Sequence, residues 1–161
     1  MEEKTQVIAE KDKQELSIIR EFDIPRNRVF QAFTDPDILV QFFAPFDYTM
    51  HFNYHQYKTN GNYSWCNKDK QGNTLCTFNG VIHEIAAPER IIQTAEFMEL
   101  PQRGSVILEI ITFEELANNR TRINIHDICP SVAVRDAMIN SGMEKGVKDI
   151  FNKLDKLFGD S

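Results

Sequence analysis

Apolar and polar positions alternate with a period of two over much of the chain, which is the pattern of half-buried β-strands. In the segment ELSIIREFDI, Leu16, Ile18 and Phe22 fall on one side of a strand together with Arg20. Strands are predicted over residues 5–10, 15–24, 48–53, 61–67, 74–85, 91–98, 106–114 and 120–129. Turn sequences such as TNGN, KDKQGN and LPQRGS separate them, so we expect an antiparallel meander.

The period changes to the spacing of α-helices in two regions. After the first strands, a short helix begins at Pro25 and a second one spans residues 36–43. Near the end of the chain, one long helix is predicted from the N-cap residue Ser131 to about Phe158. Apolar residues form a stripe along this helix, and charged residues cover its other side, so the stripe is expected to face the sheet.

Two glycines, Gly142 and Gly146, lie near the middle of the predicted long helix. A glycine inside a helix costs roughly 0.5–1 kcal/mol relative to alanine, so both positions call for a structural reason. They border the apolar stripe. The missing side chains either allow a neighbouring element to pack closely or leave open volume between the helix and the sheet.

The pattern of elements predicts an α+β protein with one domain over residues 1–161. A curved antiparallel sheet of six to eight strands would wrap around the long C-terminal helix, because both elements must bury an apolar face. The two short helices would close one end of this arrangement. We expect a pocket there, since a sheet and a helix packed in this way often leave space between them.

Aromatic and methionine side chains on the predicted inner faces are candidates for the pocket wall. The segment GNYSW places Tyr63 and Trp65 on one face of a strand. Methionine adds adaptable packing, which suits a loosely specified ligand. The predicted ligand-binding residues are Phe33, Phe42, Tyr63, Trp65, Phe78, Ile82, Glu84, Met138, Gly142, Met143 and Gly146.

Glu84 is the acidic residue that the alternation directs toward this pocket, because it shares the side of its strand with Phe78 and Ile82. Desolvation would raise the pKa of a carboxyl group there, which could then act as an acid, a base or a hydrogen-bond partner. In the alternative arrangement, Val81 and Ile85 face inward, and Glu84 lies in solvent or pairs with an arginine such as Arg90 or Arg122.

Composition and charge narrow the possible partners. The net charge of −6 favours neither nucleic acid nor an anionic membrane. No apolar run approaches the roughly 20 residues of a membrane span, and the charged N-terminal segment has no signal-peptide core, so a cytoplasmic location is expected.

The three cysteines are not spaced as a disulfide framework, and His51 and His55 lie in a predicted strand region, too far apart to share a metal. We therefore expect no metal and no cofactor.

Four segments carry a family resemblance: TNGNYSW, FNGVIHEIAAPERIIQT, TFEE and, most specifically, SVAVRDAMINSGMEKGV at residues 131–147. Together with IIREFDIPRNRVFQAFTDPDILVQFFAP, they resemble the helix-grip (START-like, Bet v 1-like) proteins of the SRPBCC superfamily. The chain is most similar to the bacterial branch named after the activator of Hsp90 ATPase (AHSA1-like). The resemblance covers about residues 15–157.

The resemblance implies a helix-grip fold built around a cavity, and hence binding of a small hydrophobic or aromatic ligand. We expect the protein to be a monomer or a homodimer. Two alternatives remain. The branch name suggests a co-chaperone-like module that activates an Hsp90-type ATPase. Some helix-grip relatives are enzymes of the cyclase or hydratase kind, and Glu84 would then be the candidate acid or base.

Overall fold

The computed structural model describes residues 4–159, and within them eight β-strands form one antiparallel sheet. The strands are β1 (Thr5–Ile8), β2 (Glu15–Phe22), β3 (Thr49–His55), β4 (Asn62–Lys68), β5 (Thr74–Ala86), β6 (Arg90–Phe97), β7 (Val106–Leu116) and β8 (Arg120–Ile128). Their order in the sheet is β1-β2-β8-β7-β6-β5-β4-β3. The predicted α+β class and antiparallel meander are confirmed, with strand ends that differ by no more than two residues.

Four α-helices accompany the sheet in the described part of the chain: α1 (Arg26–Thr34), α2 (Pro36–Phe42), α3 (Val132–Asn140) and α4 (Met143–Gly159). Asp35 caps α2 by accepting a hydrogen bond from the backbone N–H of Asp37 at 2.9 Å. Ser131 caps α3 in the same way, from the N–H of Val134 at 3.1 Å. None of these helices combines the length and apolar character needed to cross a bilayer.

The predicted long C-terminal helix is present as α4, but its predicted start at Ser131 is wrong, because the helix is interrupted at Gly142. The backbone of Gly142 has φ of +87°, a left-handed conformation that residues with a side chain rarely adopt. Helix α3 ends at Asn140, and Ser141 follows it as the C-cap residue. The N–H of Ser141 donates a hydrogen bond to the carbonyl of Met138. Helical periodicity continues across the interruption, so the spacing of apolar residues did not reveal it.

The two glycines should respond oppositely to alanine. Gly142→Ala is expected to lower the free energy of unfolding by about 1 kcal/mol, because the left-handed conformation strains a Cβ atom. Gly146→Ala should raise it by roughly 0.5–1 kcal/mol, since Gly146 lies within α4 and an added Cβ would meet Pro45 at an ordinary 3.6 Å. Urea unfolding of both variants measures this. A loss of stability in both variants would contradict the placement of Gly146 inside α4.

The core lies between the sheet, α4 and the α1–α2 pair. Phe151 and Leu154 of α4 are buried, and the ring of Phe151 meets that of Phe22 edge-on at 5.6 Å. On the other side, Phe30 of α1 packs against Phe113 of β7, with ring centroids 5.0 Å apart. Aromatic pairs in these edge-on arrangements add to the energy of burial and fix the helix positions. The core thus holds α4 across the inner face of the sheet.

Candidate functional site

A cavity of about 230 Å³ lies between the inner face of the sheet and the helices. Its wall combines sheet residues with α1, α2, α3 and α4. The lining residues are Ile18, Phe33, Leu39, Phe43, Met50, Tyr57, Tyr63, Trp65, Phe78, Ile91, Gln93, Ala95, Ile107, Glu109, Ile111, Ile125, Asp127, Met138, Met143, Val147, Ile150 and Phe151. Most of this surface is apolar, which is typical of a small-molecule site.

A larger depression of about 580 Å³ lies beside β1, β2 and β8 and is open and charged. Its arginines already have partners: Arg120 contacts Glu21 and Asp23, and Arg122 contacts Glu21 and Glu114. These groups satisfy each other at the surface. We therefore take the cavity under the helices as the candidate site.

Six of the predicted ligand-binding residues lie on the wall of this cavity: Phe33, Tyr63, Trp65, Phe78, Met138 and Met143. Trp65 stacks on Phe78 with ring centroids 4.9 Å apart, and its edge meets Phe43 at 5.5 Å. Strand pairing explains the stack, because Trp65 of β4 lies directly opposite Phe78 of β5. Whether these residues bind a ligand stays a prediction.

The other five predicted residues lie outside the cavity wall. Phe42 is buried in the core, where its ring packs against Phe33 at 5.7 Å, and Ile82 is fully buried. Gly142 has no neighbouring atom within 4 Å of an added Cβ, and Gly146 lies against Pro45. Gly142 is exposed, and neither glycine is among the lining residues of the cavity. The fifth residue is Glu84.

The prediction that Glu84 faces the cavity is wrong because β5 contains a bulge. Ile82 pairs with Gln93, but Glu84 pairs with Ile92, so His83 is an extra residue in the strand. Such an insertion reverses the alternation beyond it. Ile85 now packs against the core, and Glu84 forms a two-hydrogen-bond ion pair with Arg90 at 2.8 and 3.1 Å. The guanidinium of Arg90 lowers the pKa of the Glu84 carboxyl group.

Tyr63 is positioned across the sheet by a glycine. It lies directly opposite Gly80 of β5 and donates a hydrogen bond from its hydroxyl group to the carbonyl of Thr94 at 2.6 Å. Tyr57 stacks on Tyr63 with ring centroids 6.0 Å apart. Burial raises the pKa values of both tyrosines, with a further contribution from the charge of Glu109. Both rings therefore stay neutral and add polarizable apolar surface to the wall.

A row of polar residues crosses the cavity floor, and sequence reasoning missed it. Gln93, Glu109 and Asp127 lie directly opposite one another on β6, β7 and β8. The amide of Gln93 donates a hydrogen bond to Oε1 of Glu109 at 2.8 Å. The signal was present, because Glu109 falls between the buried residues Ile107 and Ile111 on one strand side.

Asp127 is the buried member of this row, with only 3% of its surface exposed. Desolvation raises the pKa of its carboxyl group well above the usual range, and the negative charge of Glu109 and a hydrogen bond with it act in the same direction. Burial thus favours the neutral form of the Asp127 carboxyl group. The two side chains thus form a pair of neighbouring carboxyl groups on a mostly apolar wall.

The histidines and cysteines contribute no reactive centre to the cavity. His126 contacts Oε2 of Glu15 at 3.2 Å on the surface, on the opposite side of β8 from Asp127. Burial raises the pKa of the Cys129 thiol to about 11, which disfavours the reactive thiolate. Between residues 4 and 159, no cluster of three or more His, Cys, Asp or Glu side chains is arranged to hold a metal ion.

Solved structures support the fold over nearly the whole chain. A solution structure from Arthrobacter aurescens is 21% identical, with a TM-score of 0.84 over 97% of this chain and 92% of that one. A crystal structure from Rhodobacter sphaeroides is 16% identical, with a TM-score of 0.87 over 99% and 100% of the two chains. An AHSA1 protein from Silicibacter pomeroyi is 15% identical, with a TM-score of 0.72 over 90% and 97%.

Comparison with curated proteins gave no match. A family model described as activator of Hsp90 ATPase homolog 1-like protein matches residues 23–159. That range includes both short helices, strands β3 to β8 and the C-terminal helices α3 and α4, so it contains most of the cavity wall. The match confirms the resemblance carried by residues 131–147. This protein is a member of the activator of Hsp90 ATPase homolog 1-like family, with the helix-grip fold.

Proposed function

We propose that this protein binds a small hydrophobic or aromatic ligand in the cavity between the sheet and the C-terminal helices. The observation that carries the proposal is the cavity itself: about 230 Å³ of space lined mainly by aromatic, aliphatic and methionine side chains. Protein interiors are otherwise packed as densely as organic crystals, so space of this size is a built feature. An apolar ligand would gain free energy by covering this surface.

The volume limits the size of the ligand. At the packing density of a protein interior, a cavity of this size accommodates about ten non-hydrogen atoms. A single or fused aromatic ring with a short side chain fits that limit. A long acyl chain or a polycyclic natural product does not fit unless the helices move.

Indole is a suitable neutral aromatic probe. At a concentration ten times its dissociation constant, binding should stabilise the protein by about 1.4 kcal/mol and raise the melting temperature by roughly 3–6 °C. Ala95→Phe should abolish this shift, because Ala95 lies on the wall and the added ring would occupy the cavity. Differential scanning calorimetry with isothermal titration calorimetry measures both effects.

Ala117→Phe is the matched control, since Ala117 lies in the exposed turn between β7 and β8. It should bind indole like the unmodified protein. Val147→Phe fills the cavity from α4 and provides a second blocking variant should Ala95→Phe fold poorly. The proposal fails if indole produces no shift and native mass spectrometry of fresh protein detects no bound small molecule. Equal binding by the blocking and control variants would also contradict it.

The chaperone partner suggested by the family name is a separate proposal. Its test is an ATPase assay of the host's Hsp90-type chaperone with and without this protein, accompanied by a pull-down. Stimulation and capture would support it. Neither result bears on the cavity, because the cavity lies beneath the helices and ligand binding needs no second protein.

A further inference from the structure

We propose that the ligand is a hydrophobic amine, held by its protonated nitrogen at Asp127 and Glu109 while its apolar body fills the rest of the cavity. This inference rests on the proposed ligand-binding function and names the chemical class of the ligand. Three features carry it: a buried oxygen without a partner, the charge of the cavity wall and the aromatic rings around it.

The buried oxygen is Oδ1 of Asp127, which accepts no hydrogen bond from a donor group of the described residues. Asp127 is 3% exposed and lines the cavity. Leaving a buried polar atom unpaired is costly, and native proteins rarely do so without a reason. A ligand N–H group in the cavity would supply the missing donor.

The charge on the cavity wall has one sign. Glu109 and Asp127 are acidic, and none of the lining residues that the structure describes is a lysine, an arginine or a histidine. Gln93 donates a hydrogen bond to Glu109, but its amide is neutral. A ligand cation would therefore provide the compensating charge, and its attraction to the carboxyl pair is strong in a surrounding of low polarity. An anionic ligand would be repelled.

Aromatic rings beside this pair favour an organic cation. Tyr57, Tyr63 and Trp65 line the same cavity, and ring faces attract ammonium groups. A bare metal ion is a poorer occupant, because Ca²⁺ or Mg²⁺ takes six or more oxygen ligands and the protein offers one carboxyl pair. The apolar remainder of the wall also calls for a hydrocarbon body on the ligand.

Three probes that share a phenylethyl group test the charge preference: 2-phenylethylamine, 2-phenylethanol and 3-phenylpropanoate. Isothermal titration calorimetry at pH 7 should show the amine, which is protonated there, binding about 10- to 100-fold more tightly than the alcohol. The carboxylate should bind more weakly than the alcohol. In the double variant Asp127→Asn and Glu109→Gln, the affinity for the amine should fall to that of the alcohol, while binding of the alcohol persists.

Glu84→Gln is the matched control, because it removes a carboxyl group outside the cavity and should keep the preference for the amine. If the alcohol binds as tightly as the amine, the inference is overturned while the proposed function stands. A preference for the amine that survives the double variant overturns the assignment to Asp127 and Glu109. If none of the three probes nor indole binds, the proposed function itself is overturned.

Discussion

Arg20→Ala is expected to lower the free energy of unfolding by about 3–5 kcal/mol, the range for breaking a buried charged pair. Arg20 is 1% exposed on the inner side of β2, under the C-terminal helix. Its guanidinium donates hydrogen bonds to Oγ1 of Thr5 at 2.8 Å and to Oδ1 of Asn152 at 3.1 Å, and it contacts the carboxylate of Asp155. Alanine removes all of these contacts and leaves a void.

The effect should reach the cavity, because Asn152 and Asp155 belong to α4, which also contributes Val147, Ile150 and Phe151 to the cavity wall. Hydrogen exchange should therefore become faster along α4 in the Arg20→Ala variant. Equilibrium urea unfolding gives the change in free energy, and exchange mass spectrometry gives its location.

Arg120→Ala is the matched control for this measurement. Arg120 also contacts two carboxylates, those of Glu21 and Asp23, but its side chain is 39% exposed. Exposed ion pairs contribute about 0–1 kcal/mol, so this variant should unfold nearly like the unmodified protein. Equal losses in the two variants would show that burial of Arg20 is not what makes its contacts important.

Gly80→Ala is the second change with a large expected effect, a loss of about 3 kcal/mol. A Cβ atom at this position would lie 2.0 Å from the carbonyl oxygen of Thr94 and 2.4 Å from the ring of Tyr63. The carbonyl belongs to the adjacent strand β6 and cannot move without disturbing the sheet. The glycine lets the tyrosine ring lie flat across the strand and donate to that same carbonyl.

Gly72→Ala is the control, because Gly72 has φ of +85° but no atom within 4 Å of an added Cβ. Its expected loss is about 1 kcal/mol, from backbone strain alone. Thermal and urea unfolding of both variants give the comparison. A loss in Gly80→Ala no greater than in Gly72→Ala would contradict the close packing of Tyr63 on Gly80. Displacement of Tyr63 should also weaken indole binding in the Gly80→Ala variant.

Local pattern predicts most of the fold here because each strand is buried on one face. Alternation along ELSIIREFDI places Leu16, Ile18 and Phe22 correctly, and the turn sequences divide the meander into strands with nearly correct ends. The same pattern places Tyr63 and Trp65 on the inner face of β4 and, with Phe78, on the cavity wall. These results need only the side-chain period of a strand and the requirement to bury apolar surface.

The errors arise where a single residue changes the local geometry of a strand or a helix. His83 adds a residue to β5, so the side assigned to Glu84 from Phe78 and Ile82 is reversed. Gly142 ends one helix while the helical spacing continues into the next. The helix interruption leaves the apolar period unchanged, whereas the bulge moves the inward positions from Phe78 and Ile82 to Ile85.

Sequence alone was sufficient for the antiparallel sheet, the apolar helix that packs on it, the family resemblance and six of the side chains around the cavity. Tertiary structure decided the polar chemistry of the cavity. Gln93, Glu109 and Asp127 are far apart along the chain and meet only through the pairing of β6, β7 and β8. The register of paired strands depends on residues that are far apart in sequence. It decides that Asp127 is buried and that its carboxyl group lies next to that of Glu109. The carboxyl pair at Asp127 therefore became visible only in the folded protein.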